Sequence, residues 1–126
     1  MNKPETMMID DVKYVRKDKA KAKAPNVAGM ERCIIRSYAS GVFIGYVAEK
    51  KAELNGVNVT LKQAKRIHYW DGACSLTQLA IDGVKAPKSC RITEAIDSQW
   101  IANVIEILPV SEVAANIIDG ATPWKK

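Results

Sequence analysis

The chain has 126 residues and a formal net charge of +5, enough for one domain of ordinary size and not for two. With 48% hydrophobic and 26% charged residues it is globular rather than disordered or fibrous. No apolar run approaches the roughly 18–20 residues that cross a bilayer, and residues 1–11 lack the apolar stretch of a signal peptide, so neither a membrane nor secretion is expected. Three cysteines (Cys33, Cys74, Cys90) at wide spacing with a single histidine, His68, cannot supply a zinc site unless all four converge. The thiols read as reduced, mostly buried small apolar groups. No metal and no cofactor are expected. The charge is uneven: residues 1–29 hold seven Lys/Arg and four Asp/Glu, and residues 30–126 hold twelve and ten. The body is therefore close to balanced and does not announce a nucleic-acid face.

Residues 1–29 read as a basic N-terminal arm and residues 30–126 as a compact domain. Within the arm, residues 7–16 (MMIDDVKYVR) suit a short strand pair with Asp10 and Asp11 at its turn. Residues 17–25 (KDKAKAKAP) alternate lysine with alanine and end in proline. They have no apolar face to dock, which suits a linker or extended arm. Lys17, Lys19, Lys21 and Lys23 could instead anchor the arm to phosphate or to an acidic partner.

The body alternates strands and short helices. Residues 33–38 (CIIRSY) suit a strand, and 42–48 (VFIGYVA), β-branched and aromatic, suit one better still. Gly45 inside that segment suggests a bulge or a close backbone approach. Asn55-Gly56 favours a type I′ hairpin turn, after which Val57, Val59 and Leu61 share one face of a strand. Residues 66–70 (RIHYW) form a further strand with Ile67 and Tyr69 on one side, His68 and Trp70 on the other. Then the period changes. Ser75 and Gln78 form a capping box, Leu76, Leu79 and Ala80 follow helical spacing, and Gly83 closes a helix over 76–82. Residues 91–93 suit a short strand and 103–108 a longer one. Ser111 caps a last helix over 112–119, with Val113, Ala114, Ile117 and Ile118 on one face and Gly120 at its end. The tail closes on Trp124, an odd place for an indole unless it packs back. These elements predict an α+β fold: a small, mostly antiparallel curled sheet or partly open barrel of about five or six strands with two short helices. Phe43, Val59, Ile105 and Ile107 are the expected centre of the core.

The densest chemistry lies in residues 66–79 (RIHYWDGACSLTQL). His68, Tyr69 and Trp70 end a strand, Asp71-Gly72 turns the chain, and a capped helix start follows. Aromatic rings beside such a terminus could stack a base while Arg66 and Ser75 hold an anion and Asp71 accepts from a ribose hydroxyl or a base amino group. Arg66, His68, Tyr69, Trp70, Asp71 and Ser75 are thus the candidate ligand or partner site. Each also has a plain structural reading. Alternation sends Tyr69 and Trp70 to opposite faces, so one of them belongs to the core; His68 is an ordinary half-exposed strand residue; Asp71-Gly72 is a common turn; Ser75 caps its own helix. Catalysis is hard to build. Cys74 and His68 lie six residues apart across a turn, but only the nearby helix start would activate the thiol. The carboxylates are scattered, Ser75 has no G-x-S-x-G setting, and no phosphate-cradling glycine motif is present. An enzyme is the poorest reading, and no catalytic residue is assigned.

From Met30 onward the chain resembles a family of short proteins encoded by tailed phages and prophages, a domain of unknown function. The resemblance rests on IRSYASGVFIG (35–45), RIHYWDGACSLTQLA (66–80), VIEILP (104–109) and PWK (123–125), which together span nearly all of residues 33–125. Residues 9–18 (IDDVKYVRKD) resemble a leader found at the front of various phage proteins. The family implies a phage origin and carries no catalytic or ligand residues across. On these grounds the expected function is a non-enzymatic phage accessory binding protein of the host-takeover or counter-defence type. It would be homo-oligomeric, sit in the host cytoplasm, and bind a small nucleotide-like ligand or a host protein. The alternatives are a virion accessory protein anchored by its arm to a neighbouring virion subunit, and a nucleic-acid-binding protein using the arm with Lys62, Lys65 and Arg66.

Overall fold

The computed structural model describes residues 7, 8, 10, 11, 22–54 and 56–125. In the arm, β1 (Met7–Met8) and β2 (Asp10–Asp11) pair antiparallel, Met8 opposite Asp10. Both aspartates are therefore strand residues and not the turn. Residues 12–21, which hold the rest of the expected strand pair and Lys17, Lys19 and Lys21, lie outside the described residues.

The body is one antiparallel sheet with two helices. Its strands are β3 (Glu31–Ser37), β4 (Gly41–Glu53), β5 (Gly56–Tyr69), β6 (Arg91–Ile92) and β7 (Ile96–Pro109). β3 pairs with β4 and β7, and β5 pairs with β4, β7 and β6. The four long strands thus follow one another in a ring. The ring is not a barrel, because β7 divides its partners: its first half pairs with β5 and its second half with β3. The halves meet at a bulge where Asn103 takes a left-handed backbone (φ 55), a conformation asparagine tolerates better than most residues.

β5 is one strand and not the two short ones expected. A bulge at Gln63 (φ 51) lets it run on while changing which residues face which side. Gly45 sits opposite. A Cβ there would lie 3.0 Å from the Lys62 carbonyl oxygen and 3.2 Å from Leu61 Cβ, so the glycine is required by close approach rather than by its own dihedrals. The β4–β5 hairpin pairs Glu53 with Gly56. Gly56 is therefore already in the strand rather than in the expected Asn55-Gly56 turn, and Leu54 lies in a turn; Asn55 is outside the described residues.

Alternation along the strands divides the interior in two. Cys33, Ile35, Phe43, Val59, Leu61, Ala64, Ile101 and Val104 form a cluster made only of strand residues, inside the curl. Ile34, Ile44, Ile67 and Ile92 face the other way and are covered by α1 (Leu76–Asp82) and α2 (Glu112–Asp119) through Leu79, Ala80, Ala114, Ala115 and Ile118. Phe43 and Val59 are buried as expected and Ile107 packs on the inner cluster. Ile105 does not: the register shift between β3 and β7 turns it outward, leaving it half exposed. On α2, Ala115 is buried where Val113 was expected. The last residues of the arm dock on this body: Ala24 N–H donates to the Val110 carbonyl at 2.9 Å, and Ala24 is buried.

Candidate functional site

The RIHYWDG segment ends β5 at the sheet margin, beside β6. Ile67 pairs with Ile92 but Tyr69 pairs with Arg91, so β5 spends two residues against one. This bulge at His68 breaks the alternation. Ile67 stays in the core while Tyr69 turns to the opposite face with Arg91 and is half exposed. Trp70 then returns to the core side, half-buried against the helix-covered cluster. The expectation that Tyr69 shares the side of Ile67 is thereby corrected; that Tyr69 and Trp70 face apart holds.

Outside the sheet the C-terminal tail comes back onto β6. Trp124 N–H donates to the Ile92 carbonyl at 2.8 Å, which lays the indole over the margin. His68 stacks on it, ring centroids 5.2 Å apart and planes 5° from parallel. The Arg91 guanidinium lies 5.4 Å from the Trp124 ring centre and 6.0 Å from that of Tyr69, the geometry of a cation–π contact on both sides. Tyr69, Arg91, Trp124 and His68 therefore form a continuous row of planar groups. Among the described residues Arg91 has no carboxylate within ion-pair distance, whereas Lys125, which follows Trp124, is matched by Glu94 at 3.3 Å.

On its other side His68 joins Arg66, Trp70, Ser40, Gly41, Val42 and Ile67 around a hollow of about 180 Å³. Arg66 is pinned: its guanidinium donates to the Ser40 carbonyl at 2.6 Å and lies 4.5 Å over the Phe43 ring. Its backbone N–H donates to Thr93 Oγ1 at 2.9 Å. Of the six candidate residues, Arg66, His68 and Trp70 are brought together here, and Tyr69 is linked to His68 through Arg91 and Trp124. Asp71 and Ser75 are placed by structural work. Asp71 is exposed, and its N–H and carbonyl hydrogen-bond with the Cys90 thiol. Gly72 follows at φ 94, where a Cβ would meet Lys85 N at 2.6 Å, so only glycine fits the turn. Ser75 Oγ accepts from Gln78 N–H at 3.2 Å, and Gln78 Oε1 accepts from Cys74 N–H at 2.7 Å. Ser75 thus caps the helix as expected and takes the Gln78 N–H, one donor the anion reading needed, while Gln78 reaches back to Cys74, one residue before the cap, so the capping box closes only in part. No hydrogen bond joins Cys74 to His68 among the described residues.

Among the described residues, three cations of the nucleic-acid alternative are each matched by a carboxylate. Lys65 is held by Asp119 at 3.0 Å, Lys62 faces Asp97 at 3.9 Å, and Lys23 pairs with Glu31 at 2.6 Å. That pairing raises the pKa of Lys23 and lowers that of Glu31, in both cases chiefly through the hydrogen bond between them. Among the described residues no cluster of His, Cys, Asp and Glu could hold a metal ion, and no helix is long and apolar enough to cross a membrane. Sequence reasoning missed Arg91 and left Trp124 unplaced; the only signal was an aromatic residue stranded near the end of the chain.

A family model covers residues 30–118, the span that contains the five-stranded sheet, α1, all but the last residue of α2 and the RIHYWDG segment. The chain belongs to the DUF6948 family. That family is described as a domain of unknown function. No curated protein and no solved structure matches the chain. The DUF6948 match ends before the tail, so Trp124, which completes the planar row, stands outside the matched span.

Proposed function

We propose that this DUF6948 protein is a non-enzymatic accessory binding protein of a tailed phage or prophage. In this reading it is homo-oligomeric, works in the host cytoplasm, and takes a nucleotide-like ligand on the face of Tyr69, Arg91, Trp124 and His68. The phage assignment rests on the likeness of residues 35–45, 66–80 and 104–109 to short phage proteins. The observation that carries the ligand is the planar row with an unmatched guanidinium in it. A base can extend the stack at the exposed Tyr69 ring, and Arg91 keeps N–H donors at its edge for phosphate oxygens.

Stacking on an aromatic ring is worth about 1–3 kcal/mol per base and an exposed cation–π contact about 0.5–1 kcal/mol. Removing either should weaken binding by roughly tenfold. The test is a tryptophan-fluorescence titration of the full chain with nucleoside mono-, di- and triphosphates. Saturable quenching is expected, weakened in both Tyr69→Ala and Arg91→Ala while the circular dichroism stays unchanged. Absence of saturable quenching with every nucleotide, or equal affinity in Arg91→Ala, would sink the reading. Trp70→Ala is a poor probe, since that ring also packs on the core.

A further inference from the structure

The dividing of β7 between two partners leaves two strand overhangs at the far end of the ring. In β4 the overhang is residues 48–53 (AEKKAE), paired with β5 but past the reach of β3. In β7 it is residues 96–101 (IDSQWI), paired with β5 but, among the described residues, open on the side that β3 takes further along. Ser37 Oγ and Tyr38 N–H occupy the Ala102 and Asn103 carbonyls, so the open stretch stops there. An open edge presents unpaired N–H and C=O groups that recruit another strand unless charges or prolines block it. The β4 edge is blocked by Glu49, Lys50, Lys51 and Glu53. The β7 edge carries a single charge, Asp97, and two large apolar side chains, Ile96 at 54% and Trp100 at 63% exposed.

The apolar surface continues past that edge. Trp100 and Leu54 line one depression of about 440 Å³, and Tyr38 and Ile105 line another of about 350 Å³. The two share Gly56 and Asn103, so they form one patch. Tyr38 is 82% exposed and Leu54 fully so. Tyr38 and Trp100 together can bury roughly 300 Å², a large part of the ~800 Å² that one partner contributes to a standard interface. Monomeric proteins seldom leave a contiguous patch of this kind open.

We infer that the β7 edge at Ile96–Ile101 is the interface with a second copy of this chain, the two edges pairing antiparallel about a two-fold axis. Two copies of one strand related by a two-fold axis perpendicular to the sheet run antiparallel, and such a contact is self-complementary and closed. Any axis that does not pass through Asp97 itself sets each Asp97 against an uncharged residue. The pairing joins the two sheets edge to edge and brings the two apolar patches to one seam. The inference supplies the surface for the oligomer proposed above and is independent of the ligand proposed there.

Analytical ultracentrifugation of the full chain should show a dimer, and Trp100→Lys and Ile96→Lys, both at exposed positions, should weaken it by at least about tenfold while preserving the circular dichroism. Hydrogen exchange on the unmodified chain gives a reading that needs no variant. Amides within 96–101 should gain protection as concentration rises, and those within 48–53 should not. A chain that stays monomeric at high concentration overturns the interface and the oligomeric proposal together. An oligomer indifferent to Trp100→Lys, or one without concentration-dependent protection at 96–101, overturns this interface alone and leaves the oligomer standing.

Discussion

Arg32 is buried on β3 and held by Asp119 at the end of α2 through two hydrogen bonds of 2.5 and 2.8 Å, with Lys65 adding a third contact to the same carboxylate at 3.0 Å. Burial opposes the charged form of each group. For Arg32, the hydrogen bond and charge of Asp119 outweigh it; for Asp119, the bonds from Arg32 and Lys65 do, and they hold its pKa below the ordinary 3.8. The pH consequence follows from that direction. As acid is added the unfolded chain protonates Asp119 first, so the stabilisation is whole above the ordinary carboxylate value and is lost as pH falls through the lower, folded value. Removing one partner of a fully buried pair costs about 3–5 kcal/mol. Asp119 is 40% exposed, which reduces the expected cost of Asp119→Ala to about 2 kcal/mol at neutral pH. Urea unfolding should show that loss, together with a shallower decline in stability below about pH 4 than the unsubstituted chain gives.

The two helices are short and depend on their first turns. Ser75 Oγ caps α1 at the surface. Ser111 Oγ caps α2 through Ala114 N–H at 3.0 Å and also donates to the Ile81 carbonyl at 2.6 Å, tying α2 to the end of α1 from a buried position. Loss of a serine cap costs about 1 kcal/mol, and the part-buried Ile81 carbonyl left without its partner adds about 1 kcal/mol. Ser111→Ala should therefore shift a urea midpoint about twice as far as Ser75→Ala. Both helices were legible in the sequence to the residue, because caps and a closing glycine are local chemistry. The first halves of β4 and β5 were legible from the β-branched alternation that starts at Val42 and Val57. What alternation could not show is where it breaks. The bulge at Gln63 lies in the pairing with β4 and fuses two expected strands into β5, while the shifts at His68 against β6 and between β3 and β7 arise from pairing with strands distant in sequence and turn Tyr69 and Ile105 outward. The candidate site was legible as a segment. It was not legible as a surface, because Arg91 and Trp124 reach it through the same long-range pairing.

At the scale of the molecule, β3, β4 and β5 contribute to both interior clusters, so the two are expected to open together. The cysteines sample this layering: Cys33 lies in the inner cluster, Cys90 in the helix-covered one, and Cys74 is exposed. Burial, helped by the charge of Glu31, pushes the Cys33 thiol up to about 11, which leaves little reactive thiolate at neutral pH. Native-state labelling with a thiol reagent, read by mass, should modify Cys74 rapidly. Cys33 and Cys90 should follow together, at the rate set by global opening. Early labelling of Cys90 alone would show that the helices detach as a separate unit.

The stacking of His68 on Trp124 has one more consequence. The chain has a single histidine, and its imidazole lies over the indole that anchors the tail. The indole's ring current must displace the imidazole proton resonances from their usual positions. One isolated pair of signals in a proton spectrum thus reports whether the end of the chain is seated on the sheet, without any label being attached.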